Sequence, residues 1–378
     1  MSNPVLNEAM RLLPLPEPSA GIDAYVAERE RALTLDPRKR ANYERYLRSS
    51  RRDPNPDYLP VKLDIENVSR CNFRCTMCVV SDWPKGRRAG DLSLADFQAL
   101  IDEQYGLVEI KLQGIGEPSM QGDPYFAMIR YARARHIWVR TTTNASLLHL
   151  NDNHRKLIDS DANEIQISID GATAETFEAI RRGSSFRHVT ANCRALHDYA
   201  AEKGVCRTKM WTVVQEGNLH ELEALVRLGA DLGFRHQCFS LELGGWGNEL
   251  WEERNRRVDV ADRVTVERLH GLIDLGRENG IDVRFWHVVE KYSTESPKSL
   301  CPWPFERAVV SSDRQVVPCC TIGDPGVSRI DGLEARSLTD VWFGTAYQDF
   351  RRAHLERRIP QECRSCYRAA DMTPETEA

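Results

Sequence analysis

The sequence predicts an α/β protein built on an open βα barrel, with a helical segment before it and a small cysteine-rich region after it. Two patterns predict this: short apolar strands alternate with amphipathic helices between Val61 and Leu243, and polar or glycine residues gather where the strands end. Such alternation builds a parallel sheet with right-handed crossovers. A third observation marks the place for chemistry. Cys71-Asn72-Phe73-Arg74-Cys75-Thr76-Met77-Cys78 sets three thiols in eight residues directly after the first strand.

A chain of 378 residues, 41% hydrophobic and 28% charged, has the composition of a globular protein with room for two domains and an extension. The formal net charge of −5 argues against a nucleic-acid surface as the main business, because phosphate contacts draw on clustered Lys and Arg. The short basic run Arg38-Lys39-Arg40 reads as a solvated helix face. No apolar stretch approaches a bilayer span and no charged-then-apolar segment opens the chain, so a cytoplasmic protein is expected, without a membrane or nucleic-acid partner. Eleven cysteines in a reducing compartment point to metal or redox chemistry.

In chain order, residues 1–57 read as two or three short helices punctuated by prolines and wrapped on the main body. Val61–Glu66 alternates apolar and polar as a strand does, and runs into the cysteine loop. Ser93 caps a helix over Leu94–Tyr105, followed by the strand Leu107–Gln113. A helix near Tyr125–Arg135 leads to the strand Ile137–Thr143, and one near Asn153–Ser160 to Glu164–Ile169. Helix Phe186–Lys203 precedes the strand Thr208–Val214, and Leu219–Leu232 precedes His236–Leu243. The count is six strands, an open rather than a closed barrel. In βα barrels chemistry sits at the C-terminal strand ends, which here carry the three cysteines, Glu117, Asn144, Ser168, Asp170, Gln215 and Glu242. Each alone is more often a turn or cap residue; their shared position is what argues for a site.

Three thiols imply an open coordination position, since structural zinc takes four protein ligands and a cubane takes one thiolate per iron. Spacings i, i+4 and i+7 also line one helical face, but Asn72, Phe73 and Arg74 form no matching polar face and the run follows a strand.

These features resemble the radical S-adenosylmethionine superfamily, whose signature is a CxxxCxxC loop after the first strand of a partial (β/α)6, TIM-like barrel. The resemblance covers roughly residues 58–245. It implies that Cys71, Cys75 and Cys78 hold a [4Fe–4S] cluster and that S-adenosylmethionine chelates its fourth iron. Gly114, Gly116 and Glu117 match the motif that meets the methionine amino group, Ser168 and Asp170 match positions near the ribose, and Val213–Asn218, with Gln215, resembles the segment near the adenine. Asn144 stands at a further strand end facing the same site. Met77 replaces the aromatic residue common before the last cysteine and is polarisable enough to pack on adenine. The resemblance implies a 5′-deoxyadenosyl radical that takes hydrogen from carbon, and an electron donor such as flavodoxin or ferredoxin.

Residues 246–298 read as a strongly charged, solvent-facing crossing over 247–263, a helix Val264–Asn279 and a strand Asp282–Val288. In 299–378, Cys301, Cys319, Cys363 and Cys366 follow one another at intervals of seventeen, forty-three and two residues. Spacing alone suits zinc or iron–sulfur equally. The set is similar to the shortened SPASM, or twitch, domain, which implies one auxiliary [4Fe–4S] cluster held by all four cysteines, with Cys320 a bystander. Arg314 stands where that hairpin usually has glycine.

The cysteine spacing is similar to enzymes that dehydrogenate or epimerise a small polar sugar or aminocyclitol substrate in natural-product and antibiotic biosynthesis, which is the leading expectation. Cys238, Cys206 and Cys320 are thiols an epimerase could use, and His287, Glu290 and Glu242 are candidate bases or hydroxyl-binding groups. Maturation of a ribosomally made peptide ranks second, because the N-terminal segment reads as helical with no clear leader-binding domain. A non-catalytic metal scaffold ranks third, having no use for the Gly114–Glu117 strand end.

Overall fold

The computed structural model describes residues 12–84, 87–88, 90–241, 243–287 and 291–368. Its main element is a ten-stranded sheet. Six strands form the expected parallel run: β1 (Lys62–Ile65), β3 (Glu109–Leu112), β4 (Trp138–Thr143), β5 (Glu164–Ser168), β7 (Thr208–Val213) and β8 (His236–Ser240). Neighbours pair in that order, each in parallel.

The sheet does not stop at six. β9 (Asp282–Trp286) adds in parallel to β8, and β10 (Arg307–Val310) adds in parallel to β1. The antiparallel strands β11 (Gln315–Val317) and β12 (Asp331–Gly332) continue beyond β10. An open barrel leaves two edges of unpaired backbone N–H and C=O groups, and these later strands cover both. The cysteine-rich region is thus joined edge to edge with the barrel sheet, across the expected boundary between residues 298 and 299.

Strand alternation divides the barrel into two environments. Leu63, Ile65, Ile110, Leu112, Ile165 and Ile167 face the outer helices and are buried in the main core. The opposite face is charged. Arg307 pairs with Asp64 at 2.6 Å and Glu109 at 3.6 Å, Arg140 lies 3.4 Å from both Glu109 and Glu164, and Lys209 lies 3.4 Å from Glu164. Taking charges out of water is costly unless they are matched, and this chain of alternating signs matches them.

The N-terminal segment closes the barrel floor. Pro14 accepts a hydrogen bond from Phe285 N at 2.9 Å, and Tyr25 donates to Glu109 at 2.9 Å while its ring packs edge-on to Trp138. Two helices follow, α1 (Ile22–Leu35) and α2 (Pro37–Ser49), joined at Asp36, whose side chain caps α2. One expectation fails here. Lys39 of the basic run is buried, not solvated: its ammonium donates to Arg135 O at 3.2 Å, and burial lowers its pKa to about 8.

The crossing over 247–263 is likewise not simply solvent-facing. It contains α3 (Glu249–Arg256), whose Trp251 and Asn255 are buried against the cysteine loop while Arg256 stays exposed. Trp251 joins Val79, Val80 and Ile115 in a small apolar cluster, with Trp83, Trp246, Cys71 and Cys78 packed around it. Burial of one face outweighed the high overall charge of this helix.

Arg314 occupies the hairpin turn between β10 and β11 with φ 60°, a conformation that glycine takes without steric cost. The turn forms regardless, closed by Arg314 N donating to Ser311 O at 2.9 Å.

Candidate active site at the strand ends

The cysteine loop leaves β1 and is fastened by a two-stranded ribbon that periodicity could not show. In it β2 (Arg74–Cys75) pairs antiparallel with β6 (Arg181–Arg182), setting Cys75 opposite Arg181. Thr76 N donates to Ile180 O at 2.9 Å, and Ser81 Oγ donates to Cys75 O at 2.6 Å. From the other side, Trp246 Nε1 and Asn255 Nδ2 each donate to Met77 O at 3.2 Å.

The three thiols share one environment. Burial pushes Cys71 up to about 12, reinforced by Glu117 and then by Cys75 and Cys78; burial and Cys75 likewise push Cys78 up to about 12. Cys75 is raised by burial, opposed by Arg181. Asn144 Nδ2 lies 3.9 Å from Cys71 Sγ and Arg181 Nη1 lies 4.0 Å from Cys75 Sγ. A set of soft donors with cationic and amide N–H groups aimed at the sulfurs suits an anionic thiolate-bound centre.

The glycine-rich strand end serves close packing. A Cβ on Gly116 would lie 2.4 Å from the carbonyl oxygens of Arg70 and Val68, and one on Gly114 would meet the Glu66 side chain. Glu117 is buried, and its carboxylate accepts from Ser119 N at 3.2 Å, Ser119 Oγ at 2.5 Å, Thr143 Oγ1 at 2.6 Å and Asn144 N at 2.7 Å. It ties the end of β3 to the end of β4. Asp170 is fully buried, accepts from Val213 N at 2.8 Å and pairs with Arg181 at 2.7 Å. Ser168 ends β5 half-buried. Gln215 is buried, and its Nε2 meets no hydrogen-bond partner among the described residues.

Three buried groups were not singled out from sequence. Arg181 links Asp170 to Cys75; the run Arg181-Arg182-Gly183 was its available signal. Asn218 donates to Asp170 O and Val213 O, both at 2.9 Å, and accepts from Gln215 N at 2.9 Å. Glu66 accepts from Ile115 N at 3.0 Å and Ser312 N at 3.1 Å and pairs with Arg88, so one carboxylate joins β1, the β3 end and the C-terminal hairpin.

Of the candidate reacting groups, Cys238 is fully buried beside Lys209 and Glu164 in the charged layer. His287 follows β9 and is half-buried. Glu242 and Glu290 lie outside the described residues. Cys320 is exposed, with Lys111, Asp64 and Arg307 as charged neighbours. Cys206 is exposed at the opposite end of the strands.

The C-terminal thiols also form one group. Cys363 is raised well above its usual value by burial and by Cys319, Cys301 and Cys366 together, and Cys319 is pushed up to about 11. Cys301 N donates to Tyr367 Oη at 2.8 Å, closing the group.

Comparison with known proteins agrees with this arrangement. The family model for the radical SAM superfamily matches residues 67–229, and that for the SPASM iron–sulfur cluster-binding domain matches residues 301–367. The chain is a radical SAM protein with a SPASM domain. These domains bring with them a [4Fe–4S] cluster, S-adenosylmethionine and auxiliary iron–sulfur binding. Mycofactocin maturase MftC of Mycobacterium ulcerans is 34% identical over 199 residues, 51% of each chain, so this chain spans about half the length of the curated relatives it matches. Streptococcus suis SuiB bound to precursor peptide SuiA has a similar fold at TM-score 0.61 and 14% identity, covering 77% of this chain and 66% of that one. The structure titled native anSMEcpe with bound AdoMet and Cp18Cys peptide aligns at TM-score 0.55 and 16% identity, covering 83% of this chain and 92% of that one. Among the described residues no helix is long and apolar enough to cross a membrane.

Proposed function

We propose that this radical SAM enzyme matures a ribosomally made peptide, abstracting hydrogen from a carbon of a peptide residue held at the C-terminal mouth of the barrel. The observation that carries the reading is the 34% identity to a mycofactocin maturase, and the peptide-bound SuiB and anSMEcpe structures of like fold support it. The second-ranked expectation from sequence thereby moves ahead of dehydrogenation or epimerisation of a sugar or aminocyclitol.

In this reading Cys71, Cys75 and Cys78 hold the radical cluster and Cys301, Cys319, Cys363 and Cys366 hold one auxiliary cluster. When bound, the cluster and S-adenosylmethionine supply a carbon-centred radical. The protein's own residues orient and seal. Gly116 lets the β3 end approach the cysteine loop, Arg181 and Asn144 point N–H groups at the sulfurs, and Gln215 Nε2 offers a buried donor. Trp246, Trp251 and Trp83 wall the cysteine loop off from water. Asp170, paired with Arg181 and accepting from Val213 N, positions the guanidinium.

The test is 5′-deoxyadenosine formation by the anaerobically reconstituted enzyme with S-adenosylmethionine and a reductant. A panel of short peptides, including a mycofactocin-type precursor, runs beside a panel of aminocyclitols and sugars. Peptide-dependent turnover with a mass change in the peptide supports the proposal. Stimulation by the small polyols alone overturns it and restores the dehydrogenase or epimerase reading.

A further inference from the structure

At the pole of the barrel opposite the cysteine loop, the N-terminal helices meet the segments that lead into β3 and β4. Between them lies a cavity of about 340 Å³, walled by the α1–α2 corner, the end of the helix Leu94–Glu103 and the turn before β4. None of these residues takes part in the chemistry of the cysteine groups.

Lys39 lines the cavity and is only 4% exposed. An ammonium has three N–H donors, and the one acceptor that Lys39 meets among the described residues is Arg135 O, at 3.2 Å. The carboxylates nearby are committed elsewhere. Asp36 accepts from Arg38 N and Lys39 N and pairs with Arg38 at 3.5 Å. Asp102, on the facing helix, pairs with Arg135 at 2.8 Å and accepts from Tyr131 at 2.6 Å. Burial lowers the Lys39 pKa to about 8 against the pull of Asp36, which still leaves the amine protonated at neutral pH. His136, also in the wall, is pushed down by burial and adds no charge there. With each aspartate matched by an arginine, Lys39 is the surplus cation. A lysine is almost never this buried without an anionic partner.

A second buried group in the same wall is incomplete. Gln104 is fully buried and its Nε2 donates to Glu103 and Thr339, both at 3.0 Å, while its Oε1 meets no hydrogen-bond partner among the described residues. Orphan acceptors of this kind are uncommon in a protein interior. The cavity thus presents a cation short of an anion and a carbonyl short of a donor. A phosphate group on a molecule that also carries a hydroxyl answers both, its charged oxygens accepting from Lys39 and an O–H donating to Gln104. Arg38 and Asp102 in the wall are exposed, so solutes have a way in. The volume lies at the small end of ligand sites, which start at about 300 Å³.

We propose that this cavity is a second ligand site, separate from both cysteine groups, which binds a small phosphate-bearing molecule through the Lys39 ammonium and the Gln104 carbonyl.

The probe is inorganic phosphate, titrated anaerobically by calorimetry into the reconstituted holoenzyme in chloride buffer. Saturable binding is expected. Sulfate has the same shape but no O–H at neutral pH, and it should bind at least about tenfold more weakly because Gln104 stays unsatisfied. Lys39→Met keeps the unbranched side chain and removes the charge. Without phosphate its Tm should not fall, since an unpaired buried charge is gone, yet its phosphate affinity should drop at least about tenfold. S-adenosylmethionine cleavage by this variant should be unchanged. The phosphate–sulfate comparison uses wild-type protein alone, so it remains decisive if Lys39→Met does not fold. Glycerol 3-phosphate separates the two sources of the group: tighter binding than inorganic phosphate assigns the site to a phosphate ester, weaker binding to free phosphate. Absence of saturable binding, sulfate bound as tightly as phosphate, or a folded Lys39→Met with wild-type affinity would overturn the proposal.

Discussion

Gly116→Ala tests how the strand ends support the candidate site. The added Cβ would stand 2.4 Å from two backbone carbonyl oxygens, of Arg70 and Val68, and 2.7 Å from Ser69 C, where ordinary contact begins at 3.4 Å. The β3 end and the entry to the cysteine loop must therefore separate by about 1 Å, the difference between those two distances. None of the three atoms belongs to a flexible side chain, so the cost falls at the upper end of the overpacking range, about 3 kcal/mol. The Glu117 N to Arg70 O hydrogen bond, 3.0 Å, is stretched at the same time. For a chain of this size about 2 °C of Tm accompanies each kcal/mol, so Tm should fall by roughly 6 °C. A displacement of that size at a cofactor site also weakens binding, and S-adenosylmethionine affinity measured by calorimetry should drop at least about tenfold. Gly90→Ala is the control, since nothing lies within 4 Å of its Cβ position; it should shift stability by less than about 1 kcal/mol. A Gly116→Ala protein with wild-type Tm and wild-type affinity would refute the close-approach argument.

Three further outcomes follow from the same geometry. Reconstituted wild-type protein should hold about eight irons per chain, and replacing Cys301, Cys319, Cys363 or Cys366 by Ala should leave about four, whereas Cys320→Ser should leave the count unchanged; loss of iron on Cys320→Ser would transfer the ligand role to it. Glu66→Gln strips the charge from a carboxylate whose side chain is 4% exposed and leaves Arg88, 8% exposed, without its nearest anion; about 3 kcal/mol should be lost in urea unfolding. Glu109 is held at about 2 although burial alone would raise it, because Arg307, Lys62 and Arg140 surround it. Its folded value lies below its unfolded one, so its contribution is complete above about pH 4.5 and is lost as pH falls towards 2. The stability gap between the wild type and Glu109→Gln should shrink over that window, and a gap independent of pH would contradict the sign.

The parallel run was legible because each strand has one face against helices, and the period of two shows in stretches such as Lys62-Leu63-Asp64-Ile65. Helix starts were legible where a side chain does the capping, as when Ser93 accepts from Asp96 N at 3.0 Å. What could not be read is where the polar face points. Asp64, Glu109, Arg140 and Glu164 alternate with apolar residues just as they would on a solvated sheet, yet they line the barrel interior and pair with one another. Hydrophobic periodicity distinguishes core from non-core, and a charged barrel interior counts as non-core. The same limit hid Trp251 and Lys39, whose neighbours in sequence are charged while their neighbours in space are not solvent. The two-residue β2–β6 ribbon is too short to carry any period, although it sets Arg181 against Cys75.

The pairing of β10 with β1 gives the two cysteine groups a fixed mutual geometry that a tethered module would lack. The loop with Cys71, Cys75 and Cys78 leaves the C-terminal end of β1; Cys319 follows β11, which pairs antiparallel with β10, itself in register with β1 from Lys62↔Arg307 to Ile65↔Val310. Two ion pairs hold the far side of this junction, Arg87 to Asp324 at 2.8 Å and Arg88 to Asp313 at 3.2 Å, with Glu66 below them bonded to Ser312 N. A shared sheet keeps the separation between the two cysteine groups more constant than a flexible linker would. Cys320, exposed and with Lys111 and Asp64 as charged neighbours, follows the same hairpin, so its place relative to the cysteine loop is set by the β1–β10 register.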